Sequence, residues 1–315
     1  MEECRFEMKN ILITGEHSYI GTSVETWLNN VNQAAKIKGL EEPYSITTIS
    51  VLSDEHNHGA WESYDFSAFD TVFDVAGIAH ADIGNVKDDV KKLYYRVNTD
   101  LTLLLARKAQ SAGCKQFIYM SSMIIYGDVQ CITKDTQPKP ANFYGDSKWQ
   151  ADQRLRQMNT DTFHVAVLRP PMIYGKGSKG NYPILAKMAS RLPFFPVVKN
   201  KRSMLYIDNL TEFIRLLIDN NDSGAFFPQN SEYSNTSQMV KMIANIKGHK
   251  ILMVYGISWM VYIMMRIPGK IGGLVTKAFG DSCYEKGLSE YKVDGRVVDY
   301  RVHNLSESIV LTEKV

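Results

Sequence analysis

Apolar residues in the first half of this chain come in short runs separated by stretches with helical periodicity. Residues 10–14, 45–51 and 71–76 read as strands, and the third is apolar throughout, as burial on both faces requires. Residues 22–30 read as a helix behind a glycine-bearing turn, and 90–112 as one long helix. Two more strands follow at 116–120 and 163–169, the second stopped by Pro170-Pro171, with a helix at 144–158 between them. Strands alternating with helices predict an α/β fold, a Rossmann-type doubly wound parallel sheet. Beyond residue 170 the pattern is irregular, with a Gly- and Lys-rich loop at 175–181 and helices at 209–219 and 236–246. The reading is a dinucleotide-binding domain over 1–170 and a smaller, mixed substrate-binding domain over 171–315, some segments of which return to the first. No internal repeat or low-complexity linker interrupts the chain.

One apolar run stands apart, residues 251–265, with Lys247 and Lys250 ahead of it and Arg266 and Lys270 behind. It is short for a bilayer span and contains Gly256 and Ser258. It reads as a buried or dimer-forming helix. The alternative is an interfacial helix giving peripheral membrane contact through 251–267.

Composition narrows the class. A chain of 315 residues holds one large or two unequal domains, and 44% hydrophobic with 22% charged residues suits a soluble globular enzyme. A net charge of +2 gives no reason to expect a nucleic-acid partner. Cys4, Cys114, Cys131 and Cys283 form no Cys-x-x-Cys pair, so no disulfide framework or zinc site is expected, and a reduced, cytoplasmic setting fits. The N-terminus lacks the apolar core of a secretory signal. His56 and His58 lie near Asp54 and Glu55 without a third ligand at a metal-site spacing, so they read as a polar loop and no metal is expected. His80 reads as packed or solvent-facing, and Asp88-Asp89 among lysines as a solvated helix face.

The chemistry gathers at Tyr144 and Lys148, one helical turn apart, behind Ser121-Ser122. An ammonium beside a phenol is expected to lower its pKa, so that it exchanges a proton with a substrate alcohol while Ser122 hydrogen-bonds the same oxygen. That equipment accompanies hydride transfer to or from a nicotinamide. Upstream, Thr14-Gly15-Glu16-His17-Ser18-Tyr19-Ile20-Gly21 joins the first strand to a helix, as in a turn that cradles a pyrophosphate. Gly15 and Gly21 take the outer glycine positions of Gly-x-x-Gly-x-x-Gly, with Ser18 in the middle one. Alone, this turn fits a plain strand–helix connection equally well, and Tyr144 with Lys148 fits an ordinary surface pair. Ser122 fits a strand terminator. The second strand runs into Ser50-Val51-Leu52-Ser53-Asp54 without an acid at its tip, which leaves NAD and NADP both open.

In this order the motifs resemble the extended short-chain dehydrogenase/reductase family, in particular its nucleotide-sugar epimerases and reductases, from residue 10 to about 219. The resemblance implies a catalytic triad of Ser122, Tyr144 and Lys148, with Lys148 also on the nicotinamide ribose. It implies cofactor contacts from Gly15, Ser18, Tyr19, Ile20 and Gly21, from Asp65 and Phe66 at the adenine, from Val75, Ala76 and Gly77 at a strand end, and from Asn98. Leu168-Arg169-Pro170-Pro171-Met172-Ile173-Tyr174-Gly175 is similar to the family's lead-in to the substrate domain, with Met172 where many members have asparagine. Asp74 stands where many have histidine. Substrate contacts are implied for Ser122, Tyr144, Asn181 and Arg202. Arginine's planar fork suits a diphosphate, though Arg202 fits a solvated charge as well. A helix-paired homodimer is also implied.

Residues after Ser122 discriminate among reactions. Dehydratases resembling this chain carry an Asp-Glu pair there, because elimination needs a further acid and base. Met123 and Ile124 transfer no protons, so a dehydratase is disfavoured. The resemblance then implies an NAD- or NADP-dependent 4-epimerase or 4-keto reductase of a UDP-hexose or UDP-N-acetylhexosamine in bacterial polysaccharide synthesis. Two alternatives stay open: a membrane-associated hydroxysteroid- or lipid-type dehydrogenase, and a catalytically silent NAD(P)-binding regulator.

Overall fold

The computed structural model describes residues 8–51, 60–79 and 86–314, the side chains of Ala60, Lys270 and Ile271 excepted. Cys4, His56, His58, His80 and the tip of the second strand beyond Val51 therefore lie outside the described residues.

Six strands form one parallel sheet: β1 Lys9–Ile13, β2 Tyr44–Thr48, β3 Thr71–Asp74, β4 Gln116–Met120, β5 His164–Leu168 and β6 Gly224–Phe226. Their spatial order is β6-β5-β4-β3-β1-β2. Ile11 to Ile13, Val72, Phe73, Phe117 to Tyr119 and Ala166 to Leu168 are wholly buried, because helices cover both faces of a parallel sheet. The order reverses between β1 and β3, where β1 turns outward to β2 and β3 leads on to β4. The carboxyl ends of the strands open a crevice at such a reversal.

Helices flank this sheet: α1 Tyr19–Ile37, α2 Asp88–Tyr95, α3 Thr102–Ser111, α4 Phe143–Gln157 and α5 Ile207–Asn220. The expected single helix over 90–112 is instead α2, a π turn at Arg96–Leu101, and α3. Within the wider turn Thr99 Oγ1 donates to the Ser147 carbonyl at 2.7 Å, a tertiary contact that helical periodicity does not encode. Such turns recur at functional sites.

The chain divides into two compact units. The first holds Met1–Gly127, Pro138–Arg169 and Leu210–Phe226; the second holds Asp128–Gln137, Pro170–Asn209 and Phe227–Val315. In the second, Met172–Tyr174 pairs in parallel with Met204–Tyr206, and Phe194–Pro196 with Leu252–Val254.

The 251–265 run is neither one helix nor buried. Leu252–Val254 is a strand and Ser258–Met265 a separate eight-residue helix, with Gly256 between them at φ 80. That left-handed backbone ends any helical path, and glycine adopts it without the Cβ penalty. Most of the short helix's large apolar side chains are exposed.

Candidate active site

Two strand ends meet at the sheet's reversal. Thr14 N–H donates to the Phe73 carbonyl at 3.0 Å, and its hydroxyl to Asp74 Oδ1 at 2.6 Å. A Cβ at Gly15 would lie 2.5 Å from Val75 Cγ1, so only glycine lets the β1 turn sit against β3. Ser18 caps α1, its hydroxyl accepting from Gly21 N–H at 3.0 Å, and the first turn of the helix has no acidic residue. The positive end of a 19-residue helix therefore lies beside the tight turn at Gly15, which suits an anionic pyrophosphate. Tyr19 and Ile20 are half-buried in this first turn.

On the β3 side, Ala76 is buried and Gly77 exposed. A Cβ at Gly77 would stand 3.0 Å from Lys148 Nζ and 3.1 Å from Asn98 Oδ1, so glycine keeps the surface over the ammonium open. Asn98, expected at the cofactor, is wholly buried and committed to protein. It accepts from Ile78 N–H at 2.8 Å and donates to the Ile78 carbonyl and Ser147 Oγ, each at 3.1 Å. Its role is to hold the strand end lining the crevice. The Phe66 ring is likewise closed in the core, with Lys108 Nζ 5.1 Å over its centroid. Asp65 is exposed and accepts from Ser67 N–H at 2.9 Å, which keeps its carboxyl below the usual range.

The catalytic candidates come together within the first unit. Asn142 caps α4, accepting from Gly145 N–H at 2.9 Å, and so starts the helix that carries Tyr144 and Lys148. The Ser122 hydroxyl accepts from Ile124 N–H at 3.3 Å and acts on the nearby Tyr144 phenol, lowering its pKa, and the Tyr94 ring stands edge-on to Tyr144 at 6.0 Å. Ser121, the other half of the serine pair, donates instead to Asp152 Oδ2 at 2.9 Å.

Lys148 is buried and donates to the Met120 carbonyl at 2.9 Å, lying 4.9 Å over the Tyr119 ring. Burial drives its pKa down to about 8, and Asp74 opposes that fall. Desolvation pushes the Tyr144 phenol up to about 12, while Ser122 pulls it down and Tyr94 raises it further. The expected lowering of the phenol by the ammonium is thus not found. Lys148 turns to a strand carbonyl, and burial outweighs what Ser122 returns.

Sequence reasoning passed over the frame behind these groups. Arg169 grips Asp152 with both forks, Nε to Oδ2 at 2.9 Å and Nη2 to Oδ1 at 2.7 Å, and gives Nη1 to the Tyr126 hydroxyl at 2.7 Å. The Arg-Pro motif thus serves as a buried brace joining β5, α4 and the end of β4. Asp74 is wholly buried, with its pKa raised by that burial.

In the second unit, Asn181 is exposed and opens the helix Asn181–Arg191 behind Gly180. Arg202 is half-buried, its Nη1 donating to the Gly280 carbonyl at 3.0 Å. Burial lowers its pKa and Asp281 opposes the shift. Among the described residues, no group of three or more His, Cys, Asp or Glu is arranged to hold a metal ion.

A family model for NAD-dependent epimerases and dehydratases matches residues 11–227. The chain belongs to the NAD-dependent epimerase/dehydratase family. It is 29% identical over 247 residues to a UDP-glucose 4-epimerase of Vibrio cholerae, covering 75% of each chain. To the N-acetyl-alpha-D-glucosaminyl-diphospho-ditrans,octacis-undecaprenol 4-epimerase of Escherichia coli O157:H7 it is 30% identical, over 68% of this chain and 65% of that one. The fold matches the UDP-glucose 4-epimerase of Thermotoga maritima, solved with UDP-glucose, at a TM-score of 0.65 and 20% identity over 96% of this chain and 97% of that one. It also matches WbmG of Bordetella bronchiseptica, solved with NAD, at 0.64 and 18% over 98% and 94%. As in a family of NAD-dependent enzymes, the open glycine turn and the crevice over Gly77 fit a dinucleotide.

Proposed function

We propose that the protein is an NAD(P)-dependent nucleotide-sugar 4-epimerase or 4-keto reductase acting on a UDP-hexose or UDP-N-acetylhexosamine in bacterial polysaccharide synthesis. The observation that carries this reading is that Ser122 acts on the Tyr144 phenol on the α4 turn that also carries buried Lys148, with Met123 and Ile124 alongside, which provides one proton-transfer group and no second acid or base. The first unit would hold the dinucleotide through Gly15, Ser18, Tyr19, Ile20, Gly21 and the Val75 to Gly77 strand end, with the exposed Asp65 at the adenine and Phe66 packed in the core behind it. Choice between NAD and NADP lies with residues past Val51. A nicotinamide, when bound, supplies the reversible hydride acceptor. Ser122 orients the C4 oxygen of the sugar. Tyr144, protonated at neutral pH, gives its proton to that oxygen in the reducing direction, and the phenolate so formed takes the hydroxyl proton in the oxidising one. Lys148 places a positive charge beside Met120 and Gly77, where it would also hold the nicotinamide ribose. The second unit contributes Arg202 to the diphosphate and Asn181 to the sugar nucleotide. A helix-paired homodimer is the assembly consistent with the exposed Leu93 and Leu104 on α2 and α3.

Incubating the purified protein with UDP-glucose, UDP-N-acetylglucosamine and a UDP-4-keto-6-deoxy sugar plus NADPH tests this directly. A C4 epimer identifies the epimerase and an NADPH-dependent alcohol the reductase; elimination of water, or no turnover of any of them, would refute the proposal. A polyprenyl-diphosphate-linked sugar is the second substrate class to assay. Similarity to the Escherichia coli undecaprenol-linked epimerase and the exposed apolar side chains near Trp259 both support including it.

A further inference from the structure

We propose that the strand–helix–helix segment 252–279 of the second unit docks on the surface of an anionic phospholipid bilayer. The helix Ser258–Met265 has no charged residue, and Val261 is its one buried side chain. Trp259 and Ile263 are 58% and 53% exposed. A helix on a protein surface ordinarily turns a polar face to water and buries its apolar stripe; this one presents apolar side chains to solvent. Its neighbours enlarge the surface. Lys270–Phe279 packs on it, Thr276 Oγ1 donating to the Met265 carbonyl at 3.4 Å, and exposes Leu274 at 67%. Leu252 lies directly across from Phe194 in the paired strands, and these two are 68% and 57% exposed. The Tyr262 hydroxyl, 3.5 Å from the Lys199 carbonyl, ties the helix to the chain leaving that strand. Apolar side chains exposed in this number on neighbouring elements mark an interaction site.

Charge selects the partner. Residues 233–280 contain six Lys or Arg (Lys241, Lys247, Lys250, Arg266, Lys270, Lys277) and no Asp or Glu. Lys247 is engaged by Glu313 at 2.7 Å, whereas Lys250, Arg266 and Lys277 are exposed around the apolar surface. A second copy of the chain would set this positive rim against itself, while an anionic leaflet attracts it. Tyr255, Trp259 and Tyr262 combine an apolar ring with a polar tip, the chemistry favoured at headgroup depth. Among the described residues no helix is long and apolar enough to cross a membrane, so the contact lies in the plane of the interface.

The test is sedimentation of the full chain with vesicles of phosphatidylcholine containing phosphatidylglycerol, and with phosphatidylcholine alone. The protein is expected to sediment with the anionic vesicles in a salt-sensitive manner and to stay in solution with the neutral ones. Combined Trp259→Ser and Ile263→Ser changes should weaken partition by on the order of tenfold per side chain. Combined Lys250→Gln, Arg266→Gln and Lys277→Gln changes should cost roughly fivefold for each charge. Circular dichroism and dinucleotide binding should be unchanged in both variants. Absence of vesicle binding, binding unaffected by either variant, or a dimer dispersed by the apolar substitutions would overturn the proposal.

Discussion

Lys148 gives its ammonium to the Met120 carbonyl at 2.9 Å rather than to the phenol one helical turn before it. The helix therefore delivers two groups to one strand end with separate duties. In the proposed mechanism Tyr144, beside Ser122, handles the proton, and Lys148 provides a buried charge at the end of β4. Held at about 12, the phenol keeps its proton at neutral pH, which suits the acid required for carbonyl reduction.

Replacing Tyr144 with Phe removes the proton-transfer atom and keeps the ring that stands edge-on to Tyr94. Turnover should fall by about 10²–10⁴-fold, with dinucleotide affinity and fold retained. Steady-state kinetics beside a cofactor titration checks this, and a fully active variant would remove Tyr144 from the mechanism.

The alkaline limb of activity should report Lys148. In the fold its proton leaves near pH 8, against an ordinary value of 10.5, so the ammonium and the activity that needs it decline as pH rises through about 8. Stability follows the opposite sign. Below pH 8 both states are protonated and the burial penalty is present in full. Between 8 and 10.5 the unfolded chain binds more protons, so this group makes stability rise with pH. Rate and denaturation profiles over the same range should diverge accordingly.

Asp74 opposes the fall in the Lys148 pKa and bonds the Thr14 hydroxyl. Asp74→Asn keeps a side-chain oxygen for Thr14 but deletes the negative charge. The alkaline limb should then move to lower pH, with little change in rate at pH 6. An unmoved limb would mean that Asp74 carries no charge in the working enzyme.

The Asp152–Arg169 pair is buried on both sides and doubly hydrogen-bonded. Asp152→Ala strands the guanidinium in the core and deprives Ser121 of its acceptor, so the variant should lose about 3–5 kcal/mol of stability. Urea denaturation measures it; a loss below about 1 kcal/mol would show that water reaches Arg169.

The doubly wound sheet was legible because its inner strands carry apolar runs such as Ile11 to Ile13 and Phe117 to Met120 and its helices follow a 3.6-residue period, whereas the short edge strand Gly224–Phe226 carries too little pattern to read. What escaped depends on contacts distant in sequence. The π turn at Asn98 and Thr99 is fixed by Ser147, and the division of labour between Ser121 and Ser122 is set by Asp152. Spacing placed Lys148 on the face of Tyr144, but only tertiary structure turns its ammonium to Met120. Apolar content in 251–265 suggested burial, and nothing local revealed that Gly256 would split it and leave its side chains in solvent.

The origin of the hydrogen at C4 of the product tests the mechanism most directly. With substrate handled in deuterium oxide and the product examined by NMR, the account predicts a C4 hydrogen that is not drawn from solvent, whether the product is an epimer or a reduced alcohol. Solvent deuterium at C4 would contradict hydride exchange at that carbon.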